Sequence, residues 1–383
     1  MNFKRCLILL TFVAGFLNSA NLCHAAPASL PASLDEFLET HRAKAALPGV
    51  AAAVVKDGEV FIAGVAGVRK QGAPEKATLQ DKWHIGSCTK AMTATLAAQL
   101  IEKGTLRWKT TLAEAFPKLK LKKAWQDVTI EQLLSHRAGA PGDLNAQGLW
   151  GRIWQRAELP PRQQRAYLAT ELLTKHEPIH APGTKYEYSN AGYALVGHLI
   201  EEKLNQPFEN ILRAQIFEPL QMNSAGFGAP ATKENPQEPW AHVLKNGKPQ
   251  PVPPGLGDDN PAAIGPGGTV HCSISDLARF AAFHLKGERE GFDWLSQKSF
   301  QKLHTPPAKD NEYAMGWIAL QRGWGDGTVL MHNGSNTMNY SVMWLAPRRN
   351  FAVVICTNVA GEGVDGAIDE IAWQLIQKYN ARS

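Results

Sequence analysis

Ser87-Cys88-Thr89-Lys90 opens a stretch of helical pattern from Thr89 to about Leu106, in which Ala91, Ala94, Ala97 and Ala98 favour close packing. Residues three apart on a helix share a face, so the Lys90 amine can reach the Ser87 hydroxyl. A serine is a poor nucleophile until a base takes its proton. A lysine serves as that base when burial or a neighbouring cation lowers its pKa towards neutrality. A nucleophile at a helix N-terminus also has backbone N–H groups at hand for an oxyanion. The tetrad alone is a weak signal, because the chain carries a second one, Ser299-Phe300-Gln301-Lys302. That one lies in a polar stretch just before Pro306-Pro307 and reads as surface.

Two further stretches give the first tetrad its weight. Tyr188-Ser189-Asn190 follows the turn at Pro182-Gly183 and precedes a helical pattern from Ala191 to Leu204. A tyrosine near Ser87 and Lys90 can act as a phenolate base or pass a proton to the leaving group. Asn190 offers an amide that can bind the substrate's own amide or ester. His332-Asn333-Gly334-Ser335 lies at the end of a strand-like run. Gly334 lets substrate approach the backbone, and the Ser335 N–H can join that of Ser87 in an oxyanion hole. His332 can bind a carboxylate when protonated, or relay a proton.

The order S-x-x-K, Y-x-N, H-x-G resembles the penicillin-recognising serine hydrolases, in particular the class C β-lactamase-like branch. The likeness covers nearly the whole chain after the first 25 residues. It extends to Leu133-Leu134-Ser135-His136 with Gly139, and to Gly267-Gly268 ahead of Ser275-Asp276-Leu277-Ala278. The resemblance implies that Ser87 forms an acyl-enzyme, that Lys90 and Tyr188 share proton transfer, and that Asn190 holds substrate. It implies a substrate that is an amide, a D-amino-acid peptide or an ester, and no cofactor or metal. Class C β-lactamases usually have lysine where this chain has His332. An unperturbed histidine is mostly neutral at pH 7, so attraction for a substrate carboxylate is weaker here. The H-x-G form resembles the carboxypeptidase, D-aminopeptidase and esterase members. The alternatives are a class C-type β-lactamase and a penicillin or muropeptide sensor that acylates without turnover. Asp143 reads as a loop acid, and Cys88 as a small buried helix residue.

Working outward, Ser33 to Lys44 reads as an amphipathic helix. Val50–Val55 and Val60–Val65 flank Lys56-Asp57-Gly58-Glu59 and read as a hairpin. Past a Pro- and Gly-rich return loop from Pro249 to Gly268, Ser273-Ile274-Ser275-Asp276 matches a capping box, with a helix running to Leu285. Strand-like runs follow at Ala314–Leu320, Val329–His332, Tyr340–Leu345 and Phe351–Thr357, then a closing helix from Ala367 to Tyr379. The economical solution is an α+β fold. One antiparallel sheet, built from residues 26–86 and 265–383, is flanked by helices. A mainly helical lobe, residues 87–264, is inserted between its halves, with the site where the two meet.

Composition bounds the rest. The chain has 383 residues, 44% of them hydrophobic and 20% charged, which suits a packed core. Residues 1–25 read as a signal peptide: Lys4 and Arg5, an apolar run from Leu7 to Leu17, and small residues before a cut after Ala25. Its removal takes the formal charge from +5 to +3, too mild to imply nucleic acid. The expectation is a periplasmic or secreted monomer with no membrane span left after removal and a small-molecule or peptide substrate. Cys88, Cys272 and Cys356 remain, which is no disulfide framework. H-E-x-x-H is absent, Pro178 breaks helical presentation of His176 and His180, and G-x-S-x-G is absent. These absences weigh against a metallohydrolase and an α/β-hydrolase.

Overall fold

The computed structural model of the protein describes residues 33–255 and 257–380; the signal-peptide reading of residues 1–25 lies outside them. Its centre is a six-stranded antiparallel sheet. Strands β1 (Gly49–Lys56) and β2 (Glu59–Gly67) form the expected hairpin. Its turn residues Asp57 and Gly58 take left-handed φ of 55° and 83°, as a tight two-residue connection requires. Three short pieces follow: β3 (Trp83–His84), β4 (Gly226–Phe227), and a hairpin of β5 (His242–Lys245) with β6 (Lys248–Pro251). Then come β7 (Val270–Cys272), β8 (Ile318–Arg322), β9 (Gly327–Ser335), β10 (Tyr340–Ala346) and β11 (Phe351–Thr357). The large sheet runs β2-β1-β11-β10-β9-β8, so the first and last strands among the described residues meet at β1 and β11. Val50 pairs with Thr357 and Lys56 with Phe351.

Strand alternation divides the core. Val50, Ala52 and Val54 of β1, with Val353 and Ile355 of β11, face the helices Leu34–Lys44 and Val364–Tyr379. Ala51, Ala53 and Val55, with Val354 and Cys356, belong to the larger core shared with the helices Ile274–Glu290 and Thr89–Glu102. Burial on both faces explains why these strands read as continuous Ala/Val runs without polar alternation. The terminal helices cover one face only. The other carries Ile274–Glu290 and, beyond it, the helical part of the chain, including Pro161–Lys175 and Asn190–Leu204.

Several boundaries differ from the sequence reading. The segment from Pro249 is not all loop: Pro249 and Pro251 sit in the two-stranded ribbon β5-β6, at an edge where a strand tolerates proline, and Gly265–Gly268 closes a helical turn. The capping box is half formed. Ser273 Oγ accepts from Asp276 N at 3.3 Å, but the Asp276 carboxylate accepts from Ser224 N and Oγ and from Arg279. The following helix runs on to Glu290. The run from Ala314 enters β8 only at Ile318, and the helix after Ser87 stops at Glu102.

Candidate active site

β3 delivers the chain to Ser87. Its partner β7 pairs Trp83 with Cys272 and His84 with His271, and Ile85 N extends the ladder to Val270 O at 3.0 Å. Gly86–Cys88 then forms a single 3-10 turn and the helix Thr89–Glu102 begins. Gly86 takes φ +50°, and its N–H donates to His84 Nδ1 at 3.1 Å. Ser87 is half-buried, whereas every residue from Cys88 to Leu100 is buried. Lys90 is therefore drawn into the core by the helix that carries it.

Lys90 Nζ lies 3.1 Å from Ser87 Oγ, 2.6 Å from Asn190 Oδ1 and 2.6 Å from Gly267 O. The last two atoms can only accept, so they take two N–H bonds. The remaining tetrahedral direction faces the serine. In the ammonium form it holds a third proton. In the free amine it holds the lone pair, aimed at the Ser87 hydroxyl. Burial lowers the Lys90 pKa to about 7, opposed by the Cys88 side chain. Both forms are thus populated near neutrality.

Tyr188 shares a hydrogen bond with Ser87, and its ring centroid is 4.8 Å from Lys90 Nζ. Burial holds its pKa well above the usual phenol value, despite the bond to Ser87. A phenolate is therefore the disfavoured form, and the phenol a proton carrier. Tyr188 is bracketed by His136, whose carbonyl accepts from Glu187 N at 2.8 Å and whose Nδ1 accepts from Ser189 N at 3.0 Å. Ser189, not Asn190, caps the next helix, through Gly192 N at 3.2 Å. Asn190 is the first helical residue, and its amide is left to reach Lys90.

β9 closes the other side. A Cβ on Gly86 would lie 2.3 Å from Ser335 N, and one on Gly334 would lie 2.6 Å from Ser87 N. The two backbones touch, which brings the Ser87 and Ser335 amides together. His332 is 2% exposed, with Nδ1 2.5 Å from Asn333 O and Nε2 3.1 Å from Tyr313 Oη. The carbonyl can only accept, so the proton sits on Nδ1 and Nε2 accepts from the phenol. Burial and the Lys90 charge push its pKa down to about 3. The ring is neutral and turned to Tyr313, so a protonated carboxylate-binding His332 is not what this geometry provides.

Sequence reasoning missed Tyr313, and it quoted Gly267 and His136 within the resemblance without the roles they take here. Gly267 acts through a carbonyl oxygen, which its identity does not advertise. Cys88 is buried between His332 O (3.4 Å) and Ser341 Oγ (3.3 Å), and burial raises its pKa to about 12, so it is an inert thiol. Asp143 is an exposed loop acid bonded to Asn145 N. Ser299 and Lys302 of the second tetrad bind Glu102 and Glu131, respectively. Among the described residues no cluster of His, Cys, Asp and Glu is set to hold a metal, and no helix is long and apolar enough to cross a membrane.

The fold and this serine-lysine-tyrosine arrangement place the chain in the Beta-lactamase family, whose model matches residues 34–378. Among curated relatives, Protein flp of Staphylococcus aureus (strain N315) is 25% identical over 348 residues. That match takes in 90% of this chain but 66% of the relative, just under two thirds of its length. Penicillin-binding protein 4 of Amycolatopsis lactamdurans is 27% identical over 337 residues, 84% of each chain. A solved D-stereospecific amidohydrolase from Streptomyces sp. shares the fold with a TM-score of 0.69 at 20% identity, over 88% of this chain and 97% of its own.

Proposed function

We propose that the chain is a serine hydrolase working through an acyl-enzyme on Ser87, with an amide, a D-amino-acid peptide or an ester as substrate. The observation that carries this reading is the Lys90 amine, held by two acceptors with its third direction on Ser87 Oγ and its pKa brought to about 7. The free amine takes the hydroxyl proton as Oγ attacks the carbonyl carbon. The Ser87 and Ser335 amides receive the oxyanion. On collapse the leaving group departs with a proton passed through Tyr188. Water then repeats the cycle on the acyl-enzyme and restores the serine.

The charge around Ser87 supports a narrower choice. Lys90 is shared between its two forms, and His332 and His136 are pushed towards neutrality by burial. A substrate carboxylate finds no permanent cation in this set, which favours neutral acyl groups over the carboxylate-bearing β-lactams. The Beta-lactamase family and the D-stereospecific amidohydrolase sharing its fold are consistent with a serine hydrolase. Export through a cleaved leader belongs to the same proposal.

The test is a turnover panel with purified protein: a chromogenic cephalosporin, short-chain nitrophenyl esters, D-amino-acid amides, and peptides ending in D-Ala-D-Ala. Mass spectrometry should find the acyl group on the Ser87 peptide, and Ser87→Ala should abolish turnover. Activity retained by that variant would move the nucleophile elsewhere. A burst without a steady state would favour the sensor.

A further inference from the structure

Asp259 lies in the loop between β6 and the helical turn Gly265–Gly268. Its side chain is 8% exposed, and it stands between two segments that the reaction uses. Oδ1 is 2.8 Å from His84 Nε2 and accepts from Asn336 Nδ2 at 3.1 Å and from Asn260 N at 2.6 Å. His84, with a fully buried ring, accepts the Gly86 N–H at Nδ1. That bond fixes the proton of a neutral ring on Nε2, the atom beside the carboxylate. Asn336 follows Ser335 directly. Its Oδ1 accepts from Met338 N, Asn339 N and Asn339 Nδ2 at 2.9 to 3.2 Å, so it organises the whole turn from β9 to β10. Next to Asp259, Asn260 donates to Gly268 O at 3.2 Å, beside the Gly267 carbonyl that receives Lys90.

A second observation bears on this contact. His84 Nε2 and Asp259 Oδ2 are both buried, and among the described residues neither makes an aligned hydrogen bond. They are neighbours, and a small carboxylate rotation turns the 2.8 Å contact into a bond that satisfies the ring. Buried polar groups are nearly always paired, and this contact is the one that can satisfy the His84 ring nitrogen.

We propose that Asp259 is the positioning residue of the oxyanion hole. Through His84 it holds the turn that presents the Ser87 amide, and through Asn336 it holds the end of β9 that presents the Ser335 amide. One carboxylate thereby sets the distance between two donors on segments far apart in sequence. It touches no substrate atom. The inference rests on the reading of Ser87 as nucleophile.

The experiment compares Asp259→Ala, Asp259→Asn and the neighbouring Asp258→Asn with wild type, in the full chain. It measures kcat and KM on a nitrophenyl ester, the rate of Ser87 acylation by mass spectrometry, the affinity for an alkylboronic acid that mimics the tetrahedral adduct, and the melting temperature. Loosening the hole acts on the tetrahedral state, so Asp259→Ala should lower kcat by about 10- to 100-fold with KM changed by less than about 2-fold. Boronic acid affinity should fall by a similar factor. Asp259→Asn keeps an acceptor for both partners and should lose only about 3- to 10-fold, again in kcat. That variant decides the matter if the alanine variant does not fold. Asp258→Asn should resemble wild type. Asp259 variants with wild-type kcat, a loss confined to KM, or an equal loss in Asp258→Asn would overturn the brace. A wild type whose Ser87 never takes an acyl group overturns the brace and the hydrolase reading together; normal acylation with unaffected Asp259 variants overturns the brace alone.

Discussion

A Cβ atom on Gly334 would stand 2.6 Å from the backbone nitrogen of Ser87 and 2.0 Å from the carbonyl oxygen of Ile85. β9 therefore lies against the nucleophile turn with no room for a side chain, and both atoms in the way are backbone. Gly334→Ala must push β9 off the turn, widening the gap between the Ser87 and Ser335 amides. The expected result is a loss of about 100-fold or more in kcat, comparable to removing one oxyanion donor. Overpacking should also cost about 1–3 kcal/mol of stability. Ester kinetics and thermal unfolding check both, and wild-type kcat in this variant would be incompatible with the proposed hole.

The Lys90 pKa of about 7 predicts the acid limb of the pH–rate profile. A base must be deprotonated to act, so the acylation rate should rise with pH through about 7 and level off above it. Tyr188, with its pKa raised by burial, should add no limb on the acid side. Single-turnover acylation of Ser87 between pH 5 and 9 measures this directly. A profile flat across that range would remove Lys90 from the role of base.

The same lysine should leave a mark on stability. Unfolded, it holds its proton up to about 10.5; folded, only up to about 7. Between those values unfolding takes up a proton, so this group makes the fold more stable as pH rises from about 7 towards 10.5. Below about 7 the folded lysine is charged and buried, and the full penalty applies, on the order of a few kcal/mol. Lys90→Met should abolish turnover and flatten this part of the stability curve. Denaturant melts of both proteins at pH 7 and pH 9.5 test it; parallel curves would mean that the folded lysine is not perturbed.

Tyr188 is assigned proton transfer, not shape. Tyr188→Phe keeps the ring beside Lys90 and its contact with His136, 4.4 Å between centroids. It removes only the hydroxyl that shares a bond with Ser87. The variant should melt within about 1 kcal/mol of wild type on loss of one hydrogen bond and lose about 10²- to 10⁴-fold in kcat. An active Tyr188→Phe would leave Lys90 alone in charge of both proton transfers.

What could be read in the sequence was side-chain chemistry at short spacing. Ser87 and Lys90 announce themselves because three residues make one turn. Gly334 does so because a glycine between His332 and Ser335 on a strand invites a close approach. The hairpin at Asp57-Gly58 follows from turn residues between apolar runs. The role of Gly267 and that of Asp259 stayed hidden for the opposite reason. One contributes a carbonyl oxygen, and the other joins residues 84 and 336, a pairing that exists only once the chain has folded. The helix Pro161–Lys175 was hidden differently. It buries Gln164, Arg165 and Glu171 along with Leu168, Leu172 and Leu173, which blurs the apolar stripe that would mark it.

Arg165 supplies the last prediction. Its side chain is fully buried and forks onto Glu201 (2.6 and 3.1 Å) and Glu209 (2.8 and 2.9 Å), with a fifth contact to Ala262 O at 3.0 Å. Three helices and the turn leading into Gly265–Gly268 are thereby tied at one guanidinium. Arg165→Met leaves Glu201, also fully buried, without its cation, and should cost about 3–5 kcal/mol. The double variant Arg165→Met with Glu201→Leu removes the two fully buried charges and leaves Glu209, which is 19% exposed, so it should recover part of that loss. Since the tie ends at Ala262 and not at Lys90, whatever variant remains folded should keep kcat within about 10-fold, a misplacement well short of a lost catalytic group. Denaturant melts of the two single and one double variants close the cycle. A single variant as stable as wild type would show that the buried arginine does not hold these helices together.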